Sequence, residues 1–222
     1  MSNVYVFALV ERPPAATGKT VRIARRRIEF MPVRGIYAAV ERRRAQPRIS
    51  EASLRGQHDV VVKLARRCEA ILPVRFGAWV DEGELERLVK AREELLGAAL
   101  ETVRNREQMT VRLFTDNERP IARATAGASG TAYLKARRAA ATPKLTRLAS
   151  SIRRAVATLA AQERLDAGRG RMLLAMHHLV ERGVSGDYEA RVAGVVSRSR
   201  ASDTVVVSGP WPPFAFTPEL LP

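Results

Sequence analysis

The segment Val4-Tyr5-Val6-Phe7-Ala8-Leu9-Val10 is apolar at every position and rich in β-branched and aromatic residues. A half-exposed strand alternates apolar and polar residues, whereas an unbroken apolar run of this length needs cover on both faces. The chain must therefore build a sheet with material packed above and below it. Glu11-Arg12-Pro13-Pro14 closes the run, because proline cannot extend a hydrogen-bonded ladder. No stretch approaches the ~18 consecutive apolar residues of a transmembrane helix. The run also lacks the basic lead and small-residue cleavage site of a signal peptide. The expectation is a soluble protein that stays in the cytoplasm.

The following residues suggest an antiparallel pair beside this strand, over about Val21 to Met31 and Val33 to Val40, with Gly35 inside the second. Ser50 is placed to cap a helix reaching about Ala70, whose apolar face carries Val61, Leu64, Ala65 and Cys68. Ile71 to Gly77 reads as a strand with Leu72, Val74 and Phe76 on one face and Arg75 on the other. Asp81, Glu82, Glu84 and Glu86 crowd the start of a long helix to about Arg106, where carboxylates complement the helix dipole. Met109 to Phe114 is a further strand.

From Thr115 to Gly130 the chain is polar and aperiodic, with Pro120, Gly127 and Gly130, so the domain boundary is expected there: an N-terminal domain 1–114 and a C-terminal domain 115–222. Beyond it, Ser129 can cap one helix and Thr142-Pro143 can open another. The second presents Leu145, Leu148, Ile152, Val156 and Leu159 on one side and is expected to run to Gly168 and Gly170. Met172 to Val180 reads as a strand, Asp187 to Ser199 as a helix and Thr204 to Val207 as a last strand. A proline-punctuated aromatic tail, Gly209-Pro210-Trp211-Pro212-Pro213-Phe214-Ala215-Phe216, closes the chain and is expected to dock on its own protein. Interleaved strands and helices of this kind predict an α+β fold of two domains with mixed or antiparallel sheets packed by helices, the C-terminal one loosely ferredoxin-like.

Charge raises the question of partners. The 222 residues carry 38 Lys plus Arg against 23 Asp plus Glu, a formal net charge of +15, and such an excess suits phosphate binding through counterion release. Only five of those cations are Lys. An arginine-heavy, alanine-rich chain is what GC-rich codon usage produces by itself, so a solvated basic surface is the simpler account. The runs Arg25-Arg26-Arg27 and Arg42-Arg43-Arg44 fall on adjacent predicted strands and are expected to form one patch. Aromatics beside them are limited to Phe30 and Tyr37, sparse for a surface that stacks bases. A basic nucleic-acid-binding protein is therefore the second reading.

Catalytic patterns fail on mechanism. Ala16-Thr17-Gly18-Lys19-Thr20 copies the end of a phosphate-binding loop, but Pro13 stands where an earlier glycine is needed and Val21-Arg22-Ile23 looks like a strand where a helix should begin. Gly127-Ala128-Ser129-Gly130 resembles a nucleophile elbow in letters only, with Thr131 at its final glycine. His177 and His178 are adjacent on a strand and face opposite ways, so they do not converge on a metal. His58 and Cys68 sit nearly three turns apart on one helix. One cysteine excludes an internal disulfide. The reading is a non-enzymatic protein with no cofactor, no metal and no small-molecule substrate. Partner-contact candidates are Arg42, Arg43 and Arg44, the strand cation Arg75, and the aromatics Trp79 and Trp211.

Ile71-Leu72-Pro73-Val74-Arg75-Phe76-Gly77 resembles the Leu-Pro-x-Arg-Phe-Gly strand of the gas vesicle protein F/L family. Further segments agree in order: Val4-Tyr5-Val6 at the start, His58 ahead of the helical Val60 to Leu64, and the strand Val111 to Phe114. Ser129-Gly130-Thr131-Ala132-Tyr133-Leu134 is similar to the family's Ser-Gly-x-x-Tyr-Leu helix start, and Gly209-Pro210-Trp211-Pro212-Pro213-Phe214 to its Gly-Pro-Trp-Pro-Pro ending. The resemblance implies a two-domain α+β protein without catalysis, required to assemble gas vesicles, binding the hydrophobic shell protein and other accessory proteins. Nothing in these motifs separates F from L.

Overall fold

The structure is a computed structural model that describes residues 3–14, 19–114, 143–168, 170–199 and 204–219. The possible helix at Ser129 to Leu134 and the Gly127 to Gly130 motif lie outside the described residues. The chain divides into two compact units, Met1–Gln108 together with Trp211–Pro222, and Met109–Pro210. This differs from the expected 1–114 and 115–222 in two ways. The strand ending at Phe114 belongs mostly to the second unit because it pairs in that unit's sheet, and the aromatic tail returns to the first.

In the first unit β1 (Asn3–Val10) is the hub. Seven of its eight residues are buried, as its unbroken apolar run requires. It pairs antiparallel with β4 (Ile36–Arg42), and the order continues outward through β3 (Arg26–Val33) to β2 (Thr20–Ile23). The expected Val21 to Met31 strand is thus two strands. Its turn, Ala24-Arg25, carries no sequence signal because neither residue is a turn former, although both take left-handed backbone at φ 49° and 64°. Arg34-Gly35 makes the next two-residue turn, so Gly35 sits between strands and not within one. A register shift between Val6 and Ala8 turns Tyr5, Phe7, Ala8 and Val10 to the same cluster. That cluster is completed by Val60, Val61 and Leu64 of α1 (Glu51–Ala65), and it includes Cys68. Ser50 caps α1 and exchanges hydrogen bonds with Ser53 in a capping box.

Two short strands share the other edge of β1. β5 (Ile71–Pro73) pairs with Ala8 to Val10, and β6 (Trp79–Asp81) pairs with Asn3 to Tyr5. The expected long helix is two, α2 (Glu82–Lys90), capped by the Asp81 carboxylate, and α3 (Glu93–Val103). Between Val89 and Leu96 no residue is buried, so no packing holds a continuous helix across Ala91-Arg92.

The second unit contains β7 (Arg106–Phe114) from Met109 onward, α4 (Pro143–Val156), β8 (Ala160–Ala167), β9 (Met172–Glu181), α5 (Ser185–Ser197) and β10 (Thr204–Trp211) up to Pro210. Its sheet has the order β10-β7-β9-β8. Met109, Val111 and Leu113 alternate inward from β7 against Leu148, Ile152 and Val156 of α4 and Tyr188 and Val192 of α5. The helix expected to reach Gly168 stops at Val156, and the next segment is the strand β8. Ala-Ala-Gln-Glu-Arg-Leu-Asp-Ala is composed of good helix formers and is exposed at most positions. Its ladder with β9, from Ala160 against Val180 to Ala167 against Leu174, overrides that propensity. Both units are α+β with antiparallel pairing, as the patterning implied. Among the described residues no helix is long and apolar enough to cross a membrane.

Candidate functional site: the interrupted edge strand and the surface around it

The motif Leu72 to Gly77 is not a continuous strand. β5 ends at Pro73, opposite Ala8, and β6 resumes at Trp79, opposite Tyr5. The β1 backbone holds the two ends, with Val74 N–H donating to Phe7 O at 2.9 Å and Val6 N–H to Ala78 O at 2.8 Å. Only Val6 and Phe7 span this gap on β1, so Arg75, Phe76 and Gly77 are thrown outward as a bulge. Gly77 takes φ +99°, a conformation that favours glycine.

Two polar side chains fasten the bulge from beneath. Tyr5 Oη donates to Gln57 Oε1, and accepts from the Gly77 N–H at 3.2 Å. Gln57 Nε2 donates to Val74 O at 2.7 Å. The side-chain amide of Gln46 donates to Gly77 O at 3.0 Å from the outer side. Burial raises the Tyr5 pKa above its ordinary value, outweighing the Gly77 hydrogen bond and the nearby Arg43 charge, so the phenol stays a donor. The Tyr5 ring also packs edge-on to Phe7 and Phe76, at 5.0 and 6.1 Å between centroids. A cleft lined by Tyr5, Phe7, Arg26, Arg43, Pro47, Ser53, Gln57 and Phe76 has room for on the order of one water molecule.

The candidate residues divide by role. Arg42 bridges Glu29 at 3.0 Å and Glu82 at 2.5 Å, and these hydrogen bonds raise its pKa. Arg43 pairs with Glu41 and lays its guanidinium 5.0 Å from the Tyr5 ring centroid. Arg26 reaches the same Glu41 at 3.1 Å. Much of the expected basic patch is therefore neutralised from within, while Arg25, Arg27 and Arg44 remain exposed. Trp79 is half-buried against the α1 cluster, and its indole N–H is buried without a hydrogen-bond partner.

The sequence places Arg75 on a strand, on the face opposite Leu72, Val74 and Phe76. Instead it projects from the bulge with 81% of its side chain exposed and meets Glu219 of the tail at 2.6 Å. Trp211 lies against the His58 ring, 5.7 Å between centroids, and Phe214 stacks on it at 6.1 Å and 15°. Pro212 and Pro213 are buried, and the Ala215 N–H donates to Gln108 Oε1 at 2.8 Å. The tail docks within the first unit, Trp211 against His58 and Glu219 against Arg75. Sequence reasoning missed Tyr5, Gln57 and Glu219 as partners. Gln57 carried a signal: it lies three, four and seven residues before Val60, Val61 and Leu64, so a polar group on that buried stripe must have a partner.

A second polar chain lies in the other unit. Arg153 grips Glu163 through Nε at 2.7 and 2.8 Å, Glu163 Oε1 meets His178 Nε2 at 3.1 Å, and His178 Nδ1 meets Tyr188 Oη at 2.6 Å. The residue types suggest an acid-base relay. His178 and Tyr188 are 1% and 0% exposed, however, so no substrate reaches them. His177 points the other way, to Thr110 and Asp166, as adjacent strand positions require.

The profile of a family described as "Gas vesicle synthesis protein GvpL/GvpF" matches residues 3–218. The chain belongs to the GvpL/GvpF family. The crystal structure of gas vesicle protein GvpF from Microcystis aeruginosa superposes with a TM-score of 0.74 at 13% identity, covering 97% of this chain and 99% of that one. GvpF from Anabaena sp. PCC7120 gives 0.74 and 13%, covering 98% and 99%. At this identity the GvpF structures establish a common fold. A search of curated proteins gave no match. The GvpL/GvpF family is one of gas vesicle synthesis, and the arrangement around the bulge belongs to a protein of that family.

Proposed function

We propose that this chain is a non-enzymatic accessory or minor structural protein of gas vesicle assembly, working in the cytoplasm, and that it binds the hydrophobic shell protein during nucleation or growth. Membership of the GvpL/GvpF family over residues 3–218 is the observation that carries this reading. The physical need is plain: a wall subunit with a water-repelling face aggregates if that face waits exposed, so a protein that holds or delivers it is required. Other gas vesicle accessory proteins are further partners.

The surface around the bulge supports contact work over catalysis. Its buried polar side chains are spent on fixing the backbone, and what faces outward is charged and aromatic: Arg44, the Arg75–Glu219 pair and Phe214, with Trp211 partly exposed. Arg42 and Arg43 shape this surface from within their ion pairs, and Trp79 supports it from beneath. The internal neutralisation of Arg26, Arg42 and Arg43 weakens the case for a nucleic-acid face.

Co-expression with the shell protein tests the reading. The tagged chain should recover the shell protein, and Arg44→Glu with Arg75→Glu should lower recovery several-fold. No recovery with the wild-type chain defeats the function, whereas undiminished recovery with both the charge reversals and Trp211→Ala defeats this choice of surface.

A further inference from the structure

The tail is seated on the first unit in the way a bound peptide is seated on a receptor. Trp211 and Phe214, two of its three aromatic rings, lie against His58 on α1, the buried Pro212 and Pro213 lie between them in sequence, the Ala215 N–H donates to Oε1 of the buried Gln108, and the Glu219 carboxylate closes on Arg75. Proline-rich segments gripping aromatic grooves, with a charged residue at one end, are a recurring mode of peptide recognition. Within the segment, Phe214 N–H donates to Pro212 O, Phe216 N–H to Pro213 O and Thr217 Oγ1 to Pro213 O, so the docked segment holds a short 3₁₀ turn.

The contacts are of the kind that exchange. Phe214 is 41% exposed, and the Arg75 and Glu219 side chains are 81% and 65% exposed. An ion pair this wet contributes little to stability and mainly sets which charge is accepted. Arg75 is the outermost residue of a bulge that Tyr5 and Gln57 hold rigid, so its position does not depend on the tail.

We propose that the His58–Gln108–Arg75 face is a peptide-docking site held closed in cis, and that a partner segment bearing an aromatic side chain for His58 and a carboxylate for Arg75 displaces residues 211–219. The chemistry of that partner is read from the occupant already present: aromatic, proline-containing and acidic at its far end. A tethered occupant competes at an effective concentration in the millimolar range, so the site opens only to a segment that binds better or arrives in many copies. This holds whether or not the shell protein is the partner.

The test uses the full chain and a fluorescently labelled peptide of residues 208–219. The variant Phe214→Ala/Glu219→Arg changes two exposed tail residues, leaves the receiving face intact, and weakens the cis occupant. It should bind the peptide about tenfold more tightly than the wild-type chain does. Adding Arg75→Glu to that variant should cut binding several-fold, because the new carboxylate repels Glu219 of the peptide while attracting the reversed charge on the chain's own tail. A peptide that binds the tail variant no better than wild type, or binding indifferent to Arg75→Glu, overturns the proposal.

Discussion

Each unit is organised around a buried polar chain, and the two chains are built from opposite materials. Beneath the bulge, Tyr5, Gln57 and the main chain of Val74 and Gly77 are joined by neutral hydrogen bonds. In the other unit Arg153, Glu163, His178 and Tyr188 form a chain with an ion pair at one end and a buried imidazole in its middle. A neutral network keeps its shape across pH because none of its members titrates near neutrality. A charged one does not. Burial lowers the pKa of His178, against the pull of Glu163. Glu163 is pulled down overall: burial raises its pKa, but Arg153 and His178 more than offset that. The contrast places sensitivity to acid in the second unit and leaves the bulge of the first unaffected by it.

The largest expected break in this comparison is Gln57→Ala. It leaves Tyr5 Oη and Val74 O without their buried partner and should cost about 3 kcal/mol, counting ~1–3 for each orphaned group. Denaturant unfolding followed by tryptophan fluorescence should show it, since Trp79 and Trp211 both lie in the first unit. The loss should be the same at pH 5 and pH 7.5.

Acidification should act on the other unit. The folded pKa of His178 lies below its ordinary 6.5, so the unfolded chain binds the proton first. Its stabilising contribution is complete above about 6.5 and is lost as pH falls through the folded value, and His177, also lowered by burial, adds in the same direction. Glu163 extends the loss below its ordinary 4.5. Circular dichroism should therefore reveal a transition that moves to lower denaturant at pH 5 while the tryptophan transition stays. His178→Gln should flatten that movement, and an unchanged pH profile would show that the imidazole is not the sensor. At high pH the distinction vanishes, because burial raises Tyr5 and Tyr188 alike, and both units lose stability above about pH 10 as the unfolded tyrosines ionise.

Smaller changes sharpen the picture within the first unit. Asp81→Ala removes the side-chain cap of α2 and should lower stability by ~1 kcal/mol in a thermal melt. Arg42→Ala breaks two exposed ion pairs and should cost less than ~1 kcal/mol, shrinking further in high salt.

Local features were legible where close neighbours decide them. Ser50 and Asp81 cap the helices whose starts their chemistry marks, and Leu148, Ile152 and Val156 form the apolar stripe of α4. The family signature was legible too, in the order of short motifs along the chain. The candidate contact residues were only partly so. Arg42 and Arg43 are engaged with Glu29, Glu82 and Glu41, partners that come from strand register and not from spacing. Arg75 looks like a strand cation because Pro73 to Gly77 alternates well, and nothing nearby reveals that β1 leaves room for only two residues there.

The amino-acid order alone settled that β1 would be buried on both faces, that helices would begin at Ser50 and Asp81, and that the fold would be α+β. Those outcomes rest on interactions between residues a few positions apart or on the bulk transfer of apolar side chains from water. Only the tertiary structure decided that Ala160–Ala167 is a strand, that Arg75 is thrown outward, and that the tail lies on His58. Each of these depends on a backbone or side-chain partner distant in the chain, β9 for the first, β1 and Gln57 for the second, α1 for the third. Such a partner is brought within reach only by folding, and it then outweighs a local preference worth tenths of a kcal/mol per residue.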